Sequence, residues 1–433
     1  MRNCTSLFLT CLSICLSAPA NSQDVPTTDE PILIADESDA QVATMLDPAT
    51  TSSMHDDTTI LRNVSKLEDR TGVMFFNALR LWVGGAVQYD YFNFDGIYRH
   101  SDGGEGDEGS DFRRLEGILR VQLYDWGELK VQYDLESGVA RDIYLRWISD
   151  RPNTPVTITV GNQSEPMGLD LIMGNKFTMA QESSAPSHAF GDWRSLGVRL
   201  HRAFQIDKRD RKLDIFDDEA AFVTTSVGVF TQDIESSHET DLAITGRVTG
   251  GRERDGVGMH LGISASYREG EFQRIRFRPE VNEADRITLA EPDANTMGVV
   301  GLEAAYNYGP MHLQAEAYYA RYQGRLDGYG GGGYFQAGWF VTGESRDYNA
   351  RWGVLAPHTS SGSWSTELFA RISHTRGEDD LNGWNDYKSA TLGSNFYYRK
   401  LQVSLNLLYG DAREPINGEE DGMAFNVRAQ YLF

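Results

Sequence analysis

From Ala78 to the C-terminus, apolar residues recur at every second position in short windows. The clearest are Leu115–Leu123, Leu196–Leu200, Leu261–Tyr267, Val300–Tyr306, Trp364–Ile372, Val403–Tyr409 and Phe425–Phe433, with Gly, Ser, Gln, Asn, Glu or Arg between the apolar positions. A period of two sorts side chains onto opposite faces of an extended chain, so each window predicts a half-buried strand. Turn clusters divide them at Asp125-Trp126-Gly127, Asp150 to Pro155, Asn307-Tyr308-Gly309-Pro310 and Arg399-Lys400. The pattern predicts sixteen strands: 79–94, 112–124, 128–136, 141–149, 156–163, 195–204, 219–231, 240–249, 257–268, 296–307, 311–323, 334–344, 364–375, 386–397, 400–410 and 423–433. An even count and about 22 residues per strand and connection suit an antiparallel barrel.

The N-terminus says where such a barrel would stand. Residues 1–20 join one Arg, an apolar stretch from Leu7 to Leu16 and the small-x-small site Ala18-Pro19-Ala20, the pattern of a cleaved secretory signal. The stretch falls short of the ~20 apolar residues of a membrane helix. Ile14 precedes Cys15 where a lipoprotein signal wants a small residue. All three cysteines, Cys4, Cys11 and Cys15, fall inside the removed segment, so no disulfide staples the mature chain. Residues 21–77 carry eleven acids against Arg62, Lys66 and Arg70 and are expected to be a disordered or loosely helical periplasmic spacer. Residues 78–433 are the barrel.

Composition agrees with this placement without proving it. The chain has 43 glycines, 11% aromatic residues and a mean hydropathy of −0.44, a mixture expected where lipid-facing and lumen-facing residues alternate. If both termini face the periplasm, the long connections 95–111, 164–194, 269–295 and 411–422 all follow odd strands and are extracellular. Those at 125–127, 308–310 and 398–399 are short and follow even strands. Two expected periplasmic connections, 205–218 and 345–363, are longer than this pattern wants. Trp82, Tyr89, Tyr91, Trp126, Trp147, Tyr306, Tyr308, Tyr318, Tyr319, Tyr397, Tyr398, Tyr409 and Tyr431 lie near strand ends, where rings at the headgroup level are expected.

Several segments resemble one family. The run FRRLEGILRVQLYDWGELKVQYDLESGVARDIYLRWI (Phe112–Ile148) is similar to the first hairpins of the phosphate-selective porin O and P family. VGNQSEPMGLD (Val160–Asp170), ESSAPSHAFGDWRSLGVRL (Glu182–Leu200), WFVTGESRDYN (Trp339–Asn349) and GSWSTELFARIS (Gly362–Ser373) resemble it in the expected order. The final NVRAQYLF, ending on Phe433, resembles the strand by which the barrel-assembly machinery recognises outer-membrane barrels. The resemblance implies an all-β, sixteen-stranded transmembrane antiparallel barrel in the bacterial outer membrane. It also implies a homotrimer, and a long third loop, here 164–194, folded into the lumen. The implied partners are small ions and solutes, outer-membrane lipid and lipopolysaccharide; neither a cofactor nor a nucleic-acid partner is expected.

Selectivity in such a tube comes from charges on its wall. Alternation places Arg114, Arg120, Arg146, Arg199, Arg247, Arg268, Arg371 and Arg428 toward the lumen, with Glu116, Asp134, Glu136, Asp142, Glu303, Glu316 and Glu367 on the same faces. Lumenal salt bridges that hold the wall are the expected role for most of these. Lys176 and Arg194 are the basic residues assigned to the constriction loop. Arg274, Arg276 and Arg278 form an entrance cluster whose guanidiniums would gather anions or bind lipopolysaccharide phosphates. The preferred expectation is a passive channel favouring anions such as phosphate. Of the net charge of −23, the leader holds −8 and the signal +1, which leaves −16 on the barrel. That balance keeps a weakly selective or cation-preferring porin open, and a non-conducting adhesin or anchor is the rival of another class. Gly330–Gly333 is expected at a hairpin tip, since no Lys-Ser/Thr or helix follows it. Hydrolase and metalloprotease spacings are absent, and an enzyme is not expected.

Overall fold

The computed structural model describes residues 72–433 except 76–78, 100–106, 125, 150–155, 192, 207–219, 233, 235–239, 255–256, 357, 359, 361 and 417. The expected signal and nearly all of the expected leader lie outside the described residues. The strands are β1 (Gly72–Phe75), β2 (Leu79–Phe94), β3 (Glu108–Leu123), β4 (Gly127–Asp134), β5 (Val139–Ile148), β6 (Val156–Ser164), β7 (Arg194–Ile206), β8 (Ala220–Phe230), β9 (Thr240–Arg254) and β10 (Val257–Phe272). They continue as β11 (Ile275–Phe277), β12 (Ile287–Ala290), β13 (Asp293–Tyr308), β14 (Met311–Leu326), β15 (Gly328–Phe340), β16 (Tyr348–Asn349), β17 (Val354–Leu355), β18 (Ser365–Asp379), β19 (Gly383–Tyr398), β20 (Leu401–Ile416) and β21 (Glu419–Leu432). Two short helices, α1 (Leu169–Met173) and α2 (Ala185–Phe190), stand between β6 and β7.

Sixteen strands, β2–β10, β13–β15 and β18–β21, pair antiparallel with their chain neighbours and close through β2 and β21, from Ala86↔Leu432 to Phe94↔Ala424. Closure satisfies every ladder edge, which a lipid solvent demands because it offers no hydrogen bonds. At the seam the Phe433 amide and carbonyl bond to Gly85 at 3.1 and 3.0 Å. Below it β1 takes over the same edge of β2, from Phe75↔Leu79 to Gly72↔Trp82.

The two wall faces differ as the alternation requires. Leu261, Ile263, Leu302, Ile372 and Leu392 are exposed on one face, where lipid would cover them, while Gln88, Asp90, Arg247, Glu303 and Glu367 are buried on the other. The polar face is stitched across strands: Thr224 to Thr249 at 2.6 Å, Thr245 to Ser266 at 2.8 Å and Ser373 to Ser389 at 2.6 Å. Tyr318 and Tyr397, expected at the headgroup level, are buried on this face instead and bond to Glu316 and Glu367.

Strand ends depart most from expectation. Of the expected long connection 411–422, β20 takes residues to Ile416 and β21 begins at Glu419. The Gly330–Gly333 run lies inside β15, where a Cβ at Gly330 would strike the Phe190 ring. Beyond the apolar belt both faces of a strand are polar, so the period of two vanishes from the sequence while the ladder continues.

Candidate functional site

The segment Glu165–Trp193 is pinned to the polar face at both its helices. Gly168 turns into α1 at φ 71°, a conformation that favours glycine. The Glu316 carboxylate then accepts the first helical amides, from Leu169 and from Asp170 at 3.0 Å, and the Tyr334 hydroxyl donates to it at 2.6 Å. Ser184 caps α2: its side chain accepts from the Ser187 amide, while its own amide donates to Asp170 at 2.9 Å.

Between the helices the chain meets β3 and β18–β21. The Arg428 guanidinium donates to the Gln181 carbonyl at 2.6 Å, to Asp90 at 2.7 Å through two nitrogens, and to Glu182 at 2.7 Å. Arg113 meets Glu182 from the other side at 2.9 Å, and Arg371 donates to the Glu182 carbonyl at 2.9 Å. Burial would raise the Glu182 pKa, but Arg113 and Arg428 hold it well below the usual carboxylate range. Lys176 pairs with Glu116; burial pushes its ammonium down to about 8 despite that partner. A small depression opens beside it, lined by Phe177, His358, Tyr397, Arg399 and Gln430 among others.

Two further connections share this face. The β11–β12 hairpin, in the connection after β10, buries Phe277, Ile287 and Leu289 in one cluster with Phe92, Tyr98, Tyr387 and Leu408 of β2, the turn after it, β19 and β20. From the turn of this hairpin, Glu280 accepts from the Ala185 amide at 2.8 Å, from Arg371 at 3.0 Å and from Ser373 at 2.6 Å. The connection between β15 and β18 packs Tyr348, Val354 and Leu355 against Leu169, Ala203 and Phe222. Arg247 donates to the Trp352 and Gly353 carbonyls at 3.0 and 2.7 Å, and His201 meets the Arg351 carbonyl at 2.7 Å. Arg346 grips Glu367 at 2.8 Å. Its Trp352 ring stacks on His201 at 4.6 Å and lies 5.0 and 5.8 Å from the guanidiniums of Arg146 and Arg199.

The sequence-selected arginines therefore divide. Arg247 is paired with Glu303 at 2.8 Å, Arg268 with Glu165 at 2.8 Å, Arg371 with Glu280 and Arg428 with Asp90, all buried. Arg114 lies 3.6 Å from Glu116, Arg146 lies 3.2 Å from Glu128, and Arg194 pairs with Asp142. Arg199 donates to the Ser164 carbonyl at 3.2 Å, and Arg120 stands opposite Lys130 in the β3–β4 register. In the entrance cluster, β11 alternates buried Ile275 and Phe277 with exposed Arg276. Arg274 and Arg276 are exposed, whereas Arg278 is half-buried and donates to Asn282. Ile275 and Phe277 between them are buried in separate apolar clusters. Sequence reasoning missed Arg113, Arg346, Trp352 and Glu280. The overlong connection 345–363 was the signal for two of them.

Known proteins match this chain both in sequence and in fold. Residues 81–433 match the family described as "Phosphate-selective porin O and P". Porin O of Pseudomonas aeruginosa is 26% identical over 402 residues, covering 81% of this chain and 88% of that one. Among solved structures, a trimer form of in-vitro folded OmpT, an outer membrane protein of Vibrio cholerae, aligns with a TM-score of 0.52 at 12% identity, covering 82% of this chain and all of that one. An anion-selective porin from Comamonas acidovorans aligns at 0.50 with 11% identity over 82% of this chain and all of that one. A closed sixteen-stranded barrel with a polar inner face and a family match across nearly its whole length leave one conclusion: the chain belongs to the phosphate-selective porin O and P family, as an outer-membrane channel.

Proposed function

We propose that the chain is a passive diffusion channel that prefers small anions such as phosphate. In this reading Glu165–Trp193, the β11–β12 hairpin and the connection between β15 and β18 fold into the lumen and leave a narrow path beside the basic wall. One observation carries the sign of the preference. Among the described residues of β3–β7, the polar face holds Arg113, Arg114, Arg120, Lys130, Arg141, Arg146, Arg194 and Arg199 against Asp111, Glu116, Glu128, Asp134 and Asp142. Such a wall attracts anions in a narrow, low-dielectric passage, and each contact must stay weak enough for an ion to leave. Lys176 and Arg194 are its constriction residues, and Arg274 and Arg276 stand at the entrance. Replacing Arg114, Arg146 and Arg199 together by Gln should lower the anion-to-cation permeability ratio. An unchanged ratio would remove this wall from the selectivity mechanism.

A second reading is cation preference. It is favoured by the chain's net charge of −23 and by Glu303, Glu316 and Asp170, buried near one another beside β13 and β14. A homotrimer would use the wall of β4, β5 and β6, only 8, 10 and 9 residues long, where Leu129, Leu145, Trp147 and Val160 are exposed. The signal at residues 1–20, the leader to residue 77 and insertion through the strand ending in Phe433 complete the proposal.

A further inference from the structure

The outward rows on β14, β15, β18, β19 and β20 can be read across the ladder from the belt to the rim. Ala315, Phe335, Ile372, Ala390 and Tyr409 face one another in register and are apolar. Two residues further along each strand the row is Ala317, Gly333, His374, Lys388 and Asp411. Charge thus begins within one step. In this row Lys388 keeps a side-chain exposure of 58%, and in the next Arg376 keeps 45%. The Trp384 ring lies between Arg376 at 4.3 Å and Arg413 at 3.4 Å, and Arg321 approaches Tyr329 at 5.8 Å. Aromatic faces hold these cations in place before any ligand arrives.

Carboxylates stand among them. Glu378 accepts from Arg376 at 2.9 Å, Asp386 lies 2.9 Å from His374 and 3.5 Å from Lys388, and Asp411 faces Lys388 in register. Placement, rather than a sum of charges, sets this stretch apart. Exposed outward positions near the same rim on β3, β10 and β21 carry acids: Glu108, Glu269, Glu271, Glu419 and Asp421. Among the described outward positions of this rim, exposed cations gather on β14, β18, β19 and β20. The connections above that stretch are short, Asp327 alone and residues 380–382.

We propose that this stretch binds a phosphorylated lipid of the outer leaflet. Its phosphate meets Arg321, Arg376, Lys388 and Arg413, and its acyl chains lie on the apolar rows below. Guanidinium forks suit phosphate oxygens, and the site opens to lipid rather than to the lumen, which separates it from solute transport. The inference needs only that the barrel sits in the outer membrane.

The test uses the full chain purified in detergent, titrated with purified deep-rough lipopolysaccharide and with the same lipid after dephosphorylation, bound lipid being counted by native mass spectrometry. The R321S/R376S/K388S/R413S variant should bind the phosphorylated lipid at least ~10-fold more weakly, with conductance and binding of the dephosphorylated lipid unchanged. E269Q/E271Q should bind as the parent does. Where the quadruple variant gives no channel, R413S alone is read the same way with a smaller loss. Parental binding by a conducting variant overturns the proposal. So does an equal loss for both lipids, and so does dissociation of the oligomer, which would make this face a contact between copies.

Discussion

Arg428 serves two carboxylates and a carbonyl at once, and those partners come from two separate parts of the chain. Asp90 is on β2, opposite it in register, while Glu182 and the Gln181 carbonyl belong to the connection between β6 and β7. Arg428→Gln leaves Asp90 and Glu182 short of a buried countercharge, so the barrel should lose about 3–5 kcal/mol in urea unfolding, typical of breaking a buried pair from one side. A loss below ~1 kcal/mol would mean that water reaches the site and screens it. Lys176 tests electrostatics instead of stability. With its pKa near 8, it is charged at pH 7 and largely neutral at pH 9, which removes one of the two cations beside Glu116, Arg114 being the other. Anion preference should therefore fall as pH rises through 8, and K176R, charged throughout, should flatten that dependence in reversal potentials read against pH.

At the scale of elements, the β11–β12 hairpin is held mainly by its apolar side. Phe277 is fully buried against Tyr387, with ring centroids 5.1 Å apart. Phe277→Ala should cost about 3–5 kcal/mol locally, the usual range for emptying a buried aromatic site. The freed hairpin should raise single-channel conductance and its noise; a quiet channel of parental conductance would show that the hairpin does not narrow the path. The signal for this element was present in the sequence. Ile275 and Phe277 alternate with Arg274, Arg276 and Arg278, as Ile287 and Leu289 alternate with polar neighbours. Read for charge, the run is an expected entrance cluster; read for its apolar residues, it is also a strand. The membrane rows were legible because lipid on one face and water on the other impose a period of two. Beyond the belt that contrast is gone, which is why β20 and β21 run further than expected and why β15 absorbs the glycine run. The packing of residues 341–364 was not legible, because its partners, Arg247, His201 and Glu367, lie 21 to 150 positions away along the chain. Nothing local in Tyr348 or Trp352 names them. Trp352→Ala should likewise raise conductance by removing the ring that sits among His201, Arg146 and Arg199.

For the whole molecule, the net charge of −23 and the proposed anion preference pull in opposite directions, and their locations reconcile them. Several acids are at outward rims or are matched by buried arginines, as Glu165, Glu280, Glu303 and Glu367 are. Cations exceed carboxylates on the polar face of β3–β7, beside the connections proposed to narrow the path. A sum over the sequence cannot see that separation, whereas a permeating ion responds to it. The most direct measurement is the reversal potential of the refolded mature protein in a planar bilayer across a KCl gradient. An anion-preferring channel gives a potential of the sign for chloride flow, with current reduced by added phosphate. A potential of the opposite sign would contradict the anion preference and favour the cation reading, while the barrel and its channel role would stand.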